Sequence, residues 1–198
     1  MSGLAKVPDP VLAYVSDCSR RLRENPADPE GLLARALILA ALGRQEEARQ
    51  TFSYLTRVAP RHRAVVQLRN EGSLDLSTLG ASETVLKYVN ACAQRLEKNP
   101  RDPDALFTRA AILATLGQHQ DALVTLERLA KIAPTYPAVW RLKARLYKEI
   151  GDLRTAELCI RAAERFEAEQ AGLPPKPTEK SLTAEADLIR RLILNEMR

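Results

Sequence analysis

The side chains of this chain that most readily do chemistry are three cysteines and two histidines. Cys18, Cys92 and Cys159 lie far apart and form no CxxC pair, so their spacing offers neither a zinc site nor a disulfide framework. Cys18 and Cys92 are 74 residues apart, at equivalent places in a duplicated block, which marks them as small buried hydrophobes. His62 and His119 have no Ser or Cys nucleophile pattern beside them, and no HExxH, phosphate loop or GxGxxG occurs. His119-Gln120-Asp121 reads as a helix start near water. We therefore expect no enzymatic activity, no metal and no cofactor, and look to recognition for the function.

The elements that must position any recognition surface are set by repetition. Asn25-Pro26-Ala27-Asp28-Pro29 returns 74 residues later as Asn99-Pro100-Arg101-Asp102-Pro103. At the same shift Tyr14, Leu22, Leu32, Ala36, Leu39, Gly43, Ala48, Leu55 and Pro60 meet identical residues. The second copy then repeats itself at 34: Ala110 leads to Ala144, Leu113 to Tyr147, Gly117 to Gly151 and Ala122 to Ala156. A period near 34 built from two helices signals a solenoid whose units bury their apolar faces only against neighbours. The punctuation agrees: Asp28-Pro29 opens a helix, Gly43 closes it, and Pro60 ends the next. Two units of 34 fall short of 74, and the extra residues are assigned to the irregular stretch Gly72 to Ala81. The expected organisation is a first lobe at 9–71, an elbow at 72–81, a second lobe at 82–170 and a proline-rich linker at 171–181. A C-terminal amphipathic helix at 182–198, with Leu182, Ala186, Ile189 and Ile193 at helical spacing, completes it.

Composition bounds the class. With 45% hydrophobic and 28% charged residues in 198, the chain suits a soluble globular protein. A net charge of +5 allows acidic partners but falls short of a dedicated nucleic-acid binder. Arg57, Arg61, His62, Arg63 and Arg69 crowd one region, with Arg20, Arg21 and Arg23 earlier, yet stacking aromatics are missing from the cluster. No secretory signal or membrane-spanning run is read, so a cytoplasmic place is expected.

Trp140-x-x-Lys143-Ala144-x-x-Tyr147, then Gly151-Asp152 and Ala156-x-x-x-Ile160, resembles the tetratricopeptide repeat family. Two further units share the pattern: Leu32, Ala36, Leu39, Gly43, Ala48, Phe52, Pro60 and Leu106, Ala110, Leu113, Gly117, Ala122, Leu126, Pro134. The resemblance implies an all-α, tetratricopeptide-like α-solenoid of antiparallel helix pairs, here with an extra C-terminal helix. One departure is that Arg35, Arg109 and Lys143 stand where the family has leucine; their stems can pack while the charges reach water.

In this family the first helix of each unit usually lines a concave groove. By that analogy Leu33, Leu37, Phe107 and Ala111 would be the apolar partner contacts, within wider sets that include Ala40, Ala41, Ala114 and Thr115. Arg141, Arg145 and Lys148 would add a cationic stripe. The family's carboxylate-clamping Asn and Lys residues have no counterparts at these positions. The function this implies is a non-catalytic adaptor or scaffold binding a peptide or helix of a protein partner, with acidic residues toward the stripe. Two alternatives stand beside it: a self-assembling scaffold joined through the C-terminal helix into a homo-oligomer, and, below that, an RNA-binding helical repeat. No membrane partner is expected.

Overall fold

The computed structural model describes residues 7–72 and 81–172, and these fold as helices joined by short turns. In chain order they are α1 (Asp9–Glu24), α2 (Pro29–Ala41), α3 (Gln45–Val58), α4 (Arg63–Glu71), α5 (Ala81–Lys98), α6 (Pro103–Thr115), α7 (His119–Ile132), α8 (Pro137–Glu149) and α9 (Leu153–Gln170). Most of the expected elbow and linker, and all of the C-terminal helix, lie outside the described residues.

The punctuation read from the sequence acts locally as its chemistry requires. Asp28 caps α2 by accepting from the Gly31 N–H at 2.6 Å, and Asp102 caps α6 from the Ala105 N–H at 3.1 Å. Proline follows each cap at the first helical position, where its missing N–H costs nothing. Gly43 and Gly117 both sit at φ +79° and Gly151 at +86°, a left-handed turn that L side chains resist. Each glycine N–H bonds back to the helix just ended, to Ala40, Ala114 and Lys148 in turn.

The pairs α2–α3, α6–α7 and α8–α9 are the closest-packed helices, each an antiparallel hairpin. Small residues sit where they cross: Ala110, Ala122 and Ala156 are fully buried, and Ala36, Ala48 and Ala144 are buried too. The fold is thus the all-helical, tetratricopeptide-like solenoid of helix pairs.

The two duplicated halves do not simply continue one another. α2 packs on α5 and α1 on α6, the same contact with the halves exchanged, and α1 meets α5 between them. This is the signature of a pseudo-two-fold axis. Side chains obey it: Arg44 Nη1 donates to Asp121 at 2.7 Å, while Gln118 Nε2, at Arg44's place in the second copy, donates to Glu47 at 2.7 Å. Arg44 and Gln118 also bond each other at 3.0 Å. One core therefore runs through both halves, from Val11, Val15 and Ile38 to Ile112, Leu126 and Leu146. A second small cluster, Leu32, Leu33, Leu55, Ala64 and Val65, lies between α2, α3 and α4.

α4 is the truncated counterpart of α8. Where α8 has buried Ala144 against α9, α4 has exposed Asn70, and it ends at Gly72 in a left-handed turn. Polar residues replace apolar ones where the neighbouring helix is shortened: Leu123 of α7 is buried, and Arg49, its equivalent in α3, is exposed.

Candidate partner-binding surface

The predicted contact residues divide into three groups in the structure. Leu33 and Ala111 are buried, and Leu37 and Phe107 are half-buried against the core. Ala40 and Ala41 pack half-buried at the same core, Ala114 is buried, and the Thr115 carbonyl accepts from Ser19 Oγ across the halves at 2.6 Å. Ala40, Ala41, Ala111 and Ala114 thus belong to the core shared by the halves, whereas Leu33 packs in the cluster between α2, α3 and α4. Arg141, Arg145 and Lys148 lie on the solvent side of α8.

Leu33 and Leu37 nonetheless line an open cavity of about 250 Å³ between α1, α2 and α4. Tyr14, Cys18 and Ala34 complete its floor, and its rim carries Asp17, Arg21, Glu30 and Arg63. Those rim charges are matched: Arg21 Nε donates to Asp17 at 2.8 Å, and Arg63 lies 3.9 Å from Glu30. The guanidinium groups of Arg21 and Arg20 hold the Asp17 carboxyl below its usual range. His62 Nε2 stands 3.2 Å from the same Glu30. At the cavity floor, burial pushes the Cys18 thiol up to about 11, and it donates to the Gly31 carbonyl at 3.3 Å. Such a thiol is a packed hydrophobe, as expected, rather than a nucleophile.

The second half builds the corresponding place differently. Phe107 replaces Leu33 and Tyr136 replaces His62, and their rings meet at 5.5 Å. Tyr136 Oη donates to Asp104 at 3.3 Å, the counterpart of His62 against Glu30. Aromatic volume stands here where the first half has a leucine and an imidazole.

On α8 the stripe is only partly neutralised. Arg141 forks onto both oxygens of Glu167 at 2.5 Å each, holding that carboxyl below its usual value. Arg145 lies 3.7 Å from Glu149, which His119 approaches at 3.5 Å, and Lys148 has no ion pair among the described residues. Lys143 lies over the Trp140 ring at 5.1 Å and, like Arg35 and Arg109, is half-buried, as a snorkelling stem requires. The basic cluster of the first half is largely engaged: Arg57 covers Tyr54 at 5.5 Å, and Arg20 and Arg21 pair with Asp17. Among the described residues no group of three or more His, Cys, Asp or Glu is placed to hold a metal. No described helix is long and apolar enough to cross a membrane.

Sequence reasoning did not find the polar contact of Arg44, Gln118, Glu47 and Asp121. A signal was present: both copies carry a hydrogen-bonding side chain just after the turn glycine and an acid three residues on.

Hairpins stacked in this way define a helical-repeat protein. Residues 89–146, from within α5 into α8, match the family model described as Tetratricopeptide repeat. Repeats of this family generally serve contacts between proteins. No curated protein and no solved structure matched the chain.

Proposed function

We propose that this chain is a non-catalytic interaction module that binds a peptide or helix of a partner protein. The cavity between α1, α2 and α4, whose lining mixes Tyr14, Leu33 and Leu37 with Asp17, Arg21 and Glu30, is its anchor site. The observation that carries the reading is that cavity: Leu33 and Leu37 line about 250 Å³ of open space within a rim whose charges satisfy one another. A single aliphatic or aromatic side chain of a partner suits it, since specificity in such sites comes from one buried anchor inside a polar rim. The exposed Arg145 and Lys148 of α8 add attraction for acidic residues elsewhere on the partner, acting mainly on association rate and salt dependence. A photo-crosslinking side chain at Leu37 is expected to capture the partner, and one at exposed Gln50 is not. Equal capture from both positions removes the cavity from the account. Arg145→Glu is expected to weaken binding and flatten its salt dependence; an unchanged salt slope removes the stripe.

A further inference from the structure

The chain makes the same helical hairpin tip three times, and the three tips have different fates. Leu42-Gly43-Arg44, Leu116-Gly117-Gln118 and Ile150-Gly151-Asp152 occupy equivalent positions, each with its glycine at positive φ. In each, the residue after the glycine bonds its N–H to an equivalent carbonyl: Arg44 to Leu39, Gln118 to Leu113 and Asp152 to Tyr147. The first two tips meet at the pseudo-two-fold axis, where Leu42 is 3% and Leu116 5% exposed. At the third tip Ile150 is 42% exposed. The next position runs further against expectation. The first two tips carry polar Gln45 and His119 there, but the third carries Leu153, 67% exposed. An uncovered tip has thus kept its apolar residue and gained another.

The charges around this tip have a sign. Asp152 is engaged in capping α9, accepting from the Thr155 N–H at 3.0 Å. Glu149 lies between Arg145 and His119. Lys148 is exposed and has no ion pair among the described residues, and exposed Arg154 acts on the Asp152 carboxylate; Arg145, Lys148 and Arg154 against Glu149 and Asp152 leave the tip with a small positive balance. The cationic stripe Arg141, Arg145, Lys148 leads along α8 to the same place. We propose that the α8–α9 tip is a second docking surface, on which Ile150 and Leu153 receive an apolar segment of a partner protein flanked by acidic residues. This rests on the reading of the chain as a protein-interaction module, but it uses a surface separate from the α1–α2–α4 cavity. A second copy of this chain is the poorer occupant, because it brings a tip of the same positive balance against the first, where an acidic segment brings the opposite sign.

Methyl-detected NMR of the full chain tests the proposal with three synthetic peptides: two leucines set among glutamates, the same with serines for leucines, and the same with lysines for glutamates. The leucine–glutamate peptide is expected to shift the Ile150 and Leu153 methyls, while the other two leave them unmoved. The surface substitutions I150S with L153S, and separately K148E with R154E, are expected to weaken that peptide by about tenfold or more without lowering Tm. Shifts confined to the Leu33 and Leu37 methyls overturn the tip while leaving the cavity reading intact. No shift at any of the four residues overturns the tip, and the crosslinking from position 37 then decides the cavity by itself. Broadening of Ile150 and Leu153 with protein concentration alone assigns the tip to a second copy and overturns the acidic partner. Shifts of these methyls on ending the chain at Gly172 assign the tip to the chain's own C-terminal segment, with the same consequence.

Discussion

The cross-half contact of Arg44 with Asp121 lends itself to a quantitative test, because a double-mutant cycle separates this pair from Arg44's other contacts, with Gln118 and Glu47. Arg44 stands at the N-cap position of α3, but its side chain makes no capping bond, so Arg44→Ala leaves the helix start intact. Its guanidinium is one-fifth exposed and lies 2.7 Å from an Asp121 side chain that is about half exposed. At an effective dielectric constant near 20 the bare attraction at that distance is about 6 kcal/mol, but half-exposed pairs retain only a fraction of that after solvation and side-chain ordering. A double-mutant cycle of Arg44→Ala and Asp121→Ala, read by urea unfolding of the full chain, is expected to give a coupling of about 1 kcal/mol. It should shrink in about 1 M salt, where the screening length falls to roughly 3 Å. The control is the Arg49–Glu46 pair on one face of α3, at 3.9 Å with both side chains largely exposed, which should couple near zero. Arg44 and Asp121 lie far apart in sequence, and only the pseudo-two-fold packing brings them together. A coupling no larger than the control refutes that packing.

Three further outcomes follow from the same structure. Gly117→Ala is expected to destabilise by about 1 kcal/mol in thermal or urea unfolding, because the cost comes from φ alone: nothing lies within 4 Å of the added methyl. A neutral result means that the turn relaxes. Cys18 and Cys92, with thiols pushed up to about 11 by burial, should resist alkylation near pH 8 until the chain unfolds; fast labelling of the native protein contradicts their burial. The Arg141–Glu167 pair should make wild type melt above Arg141→Gln at neutral pH. Because Glu167 is held below its usual value, that margin is present above the unfolded-state value and is lost as pH falls through the folded one. A margin that does not change with pH removes the pair as its source.

The helices and their order were legible because the signals are local. Asp28-Pro29, Gly43, Asp102-Pro103 and Gly117 act on their own turns, and Ala110 and Ala122 mark crossings whatever the halves do. The relation between the halves was not legible. Leu33, Leu37, Phe107 and Ala111 present the same apolar face whether it meets a partner or the other copy, and periodicity cannot separate the two. What decides is a polar contact between residues 74 and 77 positions apart, Arg44 with Gln118 and Asp121, each unremarkable on its own helix. The cavity escaped for a related reason. It is lined by Leu33 where the second copy has the larger Phe107, a difference of volume between copies that a search for identity passes over.

The most direct test of the proposed function is affinity capture from native lysate by the full chain and by its Leu37→Asp variant, side by side. Circular dichroism must first show the two equally helical. The account predicts a protein held by the wild type in near-equal amount and lost from the variant. The same proteins held equally by both contradict it.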